Sequence, residues 1–117
     1  VLLRGVSTPP DADEFFRQEF IRALFGRALE RVRAEYEAQG RDVNVRLFER
    51  YDVDPVEGTS YATLAREFGL TAAQVTNYLF QVRRSFRQHA LDALRALSGS
   101  HEHFRTEARE LFGLDVE

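Results

Sequence analysis

Gln74 and Asn77, three residues apart, and Arg83, Arg84 and Arg87 a little further along offer this sequence its clearest recognition chemistry. An amide can bond adenine through two atoms at once, and the methyls of Ala and Thr suit the methyl of thymine. A guanidinium pairs with a phosphate, which holds register without reading sequence. Residues of these types, close together, point to nucleic acid.

Catalytic chemistry is not expected. No paired carboxylates, Ser-His-Asp set, Gly-rich phosphate loop or nucleophile elbow is present. His101 and His103 invite a metal reading, but residues two apart on a helix point to different sides, and no third ligand is near. Cysteine is absent, which excludes disulfides and thiolate metal sites. The expectation is a non-enzyme with no cofactor and no metal. The compartment expected is the cytoplasm, and no apolar run approaches the roughly 20 residues that span a bilayer.

Charge sharpens the reading. The 117 residues carry 16 basic side chains, all arginine, and a net charge of -3, which argues against indiscriminate coating of nucleic acid. Its distribution matters more. There are 9 Arg against 12 Asp and Glu before Tyr61, 4 against 1 from Tyr61 to Arg87, and 3 against 6 afterwards. Only the middle segment is positive, and it holds the amides.

The elements that must position this segment are helical. From Asp13, apolar Phe16, Phe20, Leu24 and Ala28 recur with Ile21, Phe25, Leu29, Val32 and Tyr36 at helical spacing. Asp11 or Asp13 can cap this helix and Gly40 is placed to end it. A shorter helix is expected over Val43 to Tyr51, with Val45 and Phe48 facing inward and Leu47 and Tyr51 as further inward candidates. A loop follows from Asp52 to Thr59, around Pro55 and Gly58. Ser60 precedes a new helical start, and a long helix should run through Leu91, Leu94 and Leu97 until Ser98-Gly99 stops it. A last helix is expected over about His101 to Phe112, capped by Ser100. The fold class is all-α, a small bundle of about five helices without winged elements.

Within the middle segment, Leu64, Phe68, Leu70, Val75 and Leu79 fall where two short crossed helices would share a miniature core. Ala65 is small where they approach, and Gly69 can take the positive φ of the sharp turn. Thr71-Ala72-Ala73-Gln74 reads as a capping box, so a second helix begins at Ala72. This is a helix-turn-helix, whose second helix enters the major groove by its N-terminal end. Ala72, Ala73, Thr76, Asn77 and Phe80 then face outward, Thr71 and Gln74 stand at the tip, and Arg83, Arg84 and Arg87 can reach phosphates. A plain helical hairpin is the bland alternative; the agreement of small residue, glycine, capping box and local positive charge favours the helix-turn-helix.

Ser60-Tyr61-Ala62, Leu64-Ala65, Phe68-Gly69-Leu70, Val75-Thr76-Asn77-Tyr78-Leu79 and Arg83-Arg84-Ser85-Phe86-Arg87 together resemble region 4 of sigma-70-type transcription factors, particularly the extracytoplasmic-function group. The resemblance covers roughly Phe15 to Leu97. It implies a module that reads the promoter -35 element and docks on the flap of the RNA polymerase β subunit, with an anti-sigma factor as a possible further partner. Carried over, base contacts fall to Thr71, Gln74, Thr76, Asn77 and Phe80, and backbone contacts to Arg83, Arg84 and Arg87, with Arg66 a weaker candidate. Many family members place Lys at the Thr76 position and Arg at the Tyr78 position, so this recognition helix starts with less charge and its DNA affinity alone should be weak. The family's region 2 has no counterpart here.

Residues 1–12, with Pro9-Pro10, read as a linker or tail, and the lack of methionine even at position 1 points to a longer protein with a domain upstream. Residues 13–99 form the region 4-like domain and 100–117 an acidic helical extension. Phe15, Phe16, Phe20, Phe25, Phe48, Phe68 and Phe86 are expected to be core, and of Tyr78 and Phe80 one should close the core while the other could meet DNA. His89 is expected on the surface. The extension is expected to cap the core through Phe104, Leu111 and Phe112; alternatively it shields the arginine face or the polymerase-docking surface as a brake. The competing function is a helical protein-interaction or adaptor module, or a regulator's output domain, built on the same fold.

Overall fold

Local punctuation sets the helix boundaries. Ser60 accepts a hydrogen bond from the Thr63 amide at 3.1 Å, and Thr63 Oγ1 accepts the Ser60 amide at 2.8 Å. Ser100 accepts the His103 amide at 3.1 Å. Such caps contribute on the order of 1 kcal/mol each by satisfying amides that a helix start leaves unpaired.

The computed structural model describes residues 12–115 and is all-α. Five helices follow in order: α1 (Ala12–Ala38), α2 (Asp42–Phe48), α3 (Tyr61–Phe68), α4 (Ala72–Leu97) and α5 (His101–Phe112). A π-helical turn, Glu49–Val53, continues α2, and no strand occurs among the described residues. The linker expected over residues 1–12, and Asp11 as a cap, lie outside the described residues except for Ala12, which opens α1.

At 27 and 26 residues, α1 and α4 are the long elements and lie along one another. Their other faces are covered in two places. Near the start of α4, Val75, Leu79 and Val82 join Val32 and Tyr36 of α1, Val45, Leu47 and Phe48 of α2, and Leu64 and Ala65 of α3. At the far end, Ala93 and Leu94 meet Leu24 of α1 and Phe104 and Ala108 of α5. The last helix therefore seals the distal end of the α1–α4 pair, as expected for a core cap, and leaves Arg84 and Arg87 exposed.

Polar groups taken inside are satisfied. Asn44 is buried and donates to Gln81 Oε1 at 3.3 Å, and the Tyr36 hydroxyl meets Ser85 Oγ at 3.0 Å. Among the described residues no buried side-chain nitrogen or oxygen lacks a partner.

Two expectations need correction. The second helix does not run simply from Val43 to Tyr51: the α-helix stops at Phe48, and the π-helical turn carries the chain to Val53, into the expected loop. The wider turn swings Tyr51 against Tyr61, with ring centroids 4.9 Å apart. Secondly, Phe15 and Phe16 are 51% and 66% exposed and Phe25 is exposed at the margin. Helical spacing places residues on a face, but the first turns of α1 have few neighbours to bury that face. Phe15 and Phe16 instead pair edge to face at 5.6 Å. Phe48 is buried, and Phe20, Phe68 and Phe86 are half-buried against the two clusters, in keeping with the expectation. His89 keeps part of its side chain at the surface, in keeping with the expectation, and its Nε2 lies 2.8 Å from Glu35 Oε1 on α1.

Candidate nucleic-acid interface

The helix-turn-helix is built from α3, the turn at Gly69 and the start of α4. Gly69 takes φ 68°, and the Leu70 amide donates to the Ala65 carbonyl at 2.8 Å to close the turn. Nothing lies within 4 Å of where a Cβ would sit on Gly69, so the turn needs glycine for its backbone angle and not for space. Ala65 is buried where the helices meet.

Thr71 then starts α4 with a reciprocal cap. Its Oγ1 accepts the Gln74 amide at 3.0 Å, while Gln74 Oε1 accepts the Thr71 amide at 2.9 Å. Thr76 Oγ1 donates to the Ala72 carbonyl at 3.1 Å. All three side chains are exposed, but each already has a local hydrogen bond.

The helical period decides what α4 presents. Val75, Leu79 and Val82 are fully buried on one side. Ala73, Asn77, Phe80, Arg84 and Arg87 recur at i, i+4, i+7, i+11 and i+14, which at 100° per residue makes a single stripe opposite the buried one. All five are exposed. Phe80 stands 63% open to solvent, whereas Tyr78 is half-buried against the core, so Tyr78 closes the core and Phe80 faces out. Among the described residues Asn77, Arg84 and Arg87 find no side-chain hydrogen-bond or ion-pair partner, and no carboxylate occurs in the sequence between Glu67 and Asp92. Arg66 on α3 is also exposed.

Arg83 differs from its neighbours. Its Nε and Nη2 donate to the two carboxylate oxygens of Asp52 at 2.7 and 3.0 Å, and Nη1 donates to the Tyr61 hydroxyl at 3.4 Å. The guanidinium also lies 5.8 Å from the centroid of the Tyr51 ring. The Asp52 hydrogen bonds raise its pKa above the ordinary arginine value, burial opposing and Tyr61 assisting. Arg83 thus ties α4 to the π-helical turn. Sequence reasoning set Asp52 in a loop and so missed this partner; an unbroken helical pattern from Val43 to Val53 was the signal available. Asn44, Gln81 and Ser85, which fix α4 against α1 and α2, were missed as well.

Beside this clamp an apolar groove of about 640 Å³ runs between α1, α2 with its π-helical turn, α4 and the end of α5. Phe25, Leu29, Phe48, Phe86 and Phe112 form its walls, with Arg87 at the rim. Phe86 stands 5.4 Å from Phe48 and 5.7 Å from Phe25, ring centre to ring centre. Gly26 opens this groove further, since it offers no side chain.

Among the described residues no group of three His, Asp or Glu side chains has the geometry to hold a metal, and no helix is long and apolar enough to cross a membrane. No family model, curated protein or solved structure matches the chain.

Proposed function

We propose that this chain is a DNA-binding module of transcription initiation, of the sigma region 4 kind, presenting α4 to the major groove of a promoter -35 element and docking on the RNA polymerase β flap. The observation that carries the reading is the stripe on α4. One amide, one open aromatic ring and two guanidiniums without a partner among the described residues line the exposed side of a helix whose opposite side is packed on the core through Val75, Leu79 and Val82. Base-edge and phosphate contacts need this arrangement, because a recognition helix must be rigid behind and unencumbered in front. Asn77 and Phe80 meet bases, with Thr71, Gln74 and Thr76 at the tip; Arg84 and Arg87 meet phosphates. Two such cations give only a shallow salt dependence, about -2 in log K against log salt, so affinity is weak without polymerase. Titration of the chain with purified β-flap fragment and with random-sequence duplex, over a range of salt, tests both halves of the reading.

The groove favours a second reading, a helical protein-interaction module. Its phenylalanine walls suit the apolar face of an amphipathic helix, such as an anti-sigma factor or another regulator could supply. A complex insensitive to salt, with no duplex binding, supports this alternative.

A further inference from the structure

Gln74 and Asn77 are both exposed amides near the start of α4, and their hydrogen bonding makes them unequal readers. The Thr71 backbone N–H can be met only by an oxygen, so the bond of 2.9 Å fixes which end of the Gln74 amide turns back to the cap. Oε1 is turned back to the cap with one of its two lone pairs engaged, and Nε2, which has no partner among the described residues, is left on the side away from it. The Asn77 side chain has no hydrogen-bond partner among the described residues and keeps both ends. Bidentate recognition of adenine needs a carbonyl oxygen for N6 and an amide nitrogen for N7 on the same edge. Asn77 can supply both; Gln74, with its oxygen held at the cap, turns only the donor outward.

Resting on the DNA-binding reading above, the geometry points to Gln74 as a donor-only specificity residue that selects guanine at its position and discriminates against adenine and cytosine. Guanine sets two acceptors, O6 and N7, side by side in the major groove. Adenine places its N6 amino group beside N7, and cytosine offers an amino donor that repels Nε2. The exposed methyls of Ala72 and Ala73 leave room at the tip for this close approach. The capping box therefore fixes the helix start and the polarity of the amide together.

The test is selection of bound duplexes from a random pool by the full chain and by its Gln74→Ala and Gln74→Glu variants. Glutamate still accepts the Thr71 amide, so the cap survives, but it replaces the outward donor with a second acceptor. The native chain is expected to favour guanine roughly five- to tenfold at one position. Gln74→Ala should flatten that position alone, and Gln74→Glu should turn it toward cytosine, whose N4 donates. Thermal unfolding of Gln74→Glu near the native midpoint confirms that the cap is intact. Adenine at the position flattened by Gln74→Ala, or an unchanged motif in both variants, overturns the inference while leaving DNA binding in place. A native chain that selects no motif at all overturns the DNA-binding reading itself.

Discussion

Arg83 grips Asp52 side-on, Nε to Oδ2 at 2.7 Å and Nη2 to Oδ1 at 3.0 Å, although 31 residues separate them. The most basic part of α4 is therefore divided: Arg83 is held within the fold, while Arg84 and Arg87 stand exposed. Both partners are partly exposed, so solvent screening limits the pair to about 1 kcal/mol of stability. Arg83→Ala should lower the unfolding free energy, measured by urea denaturation, by that amount and leave the salt slope of duplex binding unchanged. Asp52→Ala should destabilise similarly but release Arg83, steepening the slope by about 1.

Arg84 and Asn77 share a stripe but should behave differently. Arg84→Ala should weaken binding to every duplex alike and reduce the salt slope by about 1, since it loses one phosphate contact. Asn77→Ala should cost roughly 1–3 kcal/mol on the preferred sequence and little on others. Equal losses on all sequences for Asn77→Ala would contradict base reading by this residue.

Gly69 tests the turn. Because a Cβ there meets nothing but must adopt φ 68°, Gly69→Ala should destabilise by roughly 1 kcal/mol through the backbone alone. Chemical denaturation measures it, and no loss would mean that the turn relaxes freely.

Phe104 anchors the last helix and is 1% exposed. Phe104→Ala should cost about 3–5 kcal/mol by leaving a cavity among Leu24, Leu94 and Ala108. DNA binding measured under folding conditions should be preserved, because the stripe lies outside this cluster.

Arg50 and Glu67 join α3 to the π-helical turn on the protein surface. The hydrogen bond from Arg50 lowers the Glu67 pKa, with burial opposing it. A depressed carboxylate stabilises the fold above its unfolded pKa and loses that contribution as pH falls through its folded value. The stability difference between the native chain and Glu67→Gln should accordingly be present at neutral pH and vanish on acidification below the ordinary carboxylate range.

What could be read in the sequence was local. Thr71 with Gln74, Ser60, Ser100 and Gly69 act within a few residues, so their chemistry fixes the boundaries of α3, α4 and α5 wherever those helices lie. The spacing of Val75 and Leu79 likewise showed which side of α4 is buried. Contacts between distant segments were not legible. Nothing near Arg83 announces Asp52, and nothing near Gln81 announces Asn44. Phe15 and Phe16 illustrate the same limit: periodicity names a face, but whether another helix reaches it depends on relative lengths. The candidate site was outlined by its residue types, while its division into free and engaged side chains needed the tertiary structure.

The most direct measurement of the central claim is equilibrium binding of the chain to duplex DNA over a salt series, beside its Arg84→Ala, Arg87→Ala double variant. The account predicts weak binding whose log affinity falls with log salt at a slope of about -2, largely abolished in the double variant. Binding that is absent, or that is equally strong in the double variant, would contradict it.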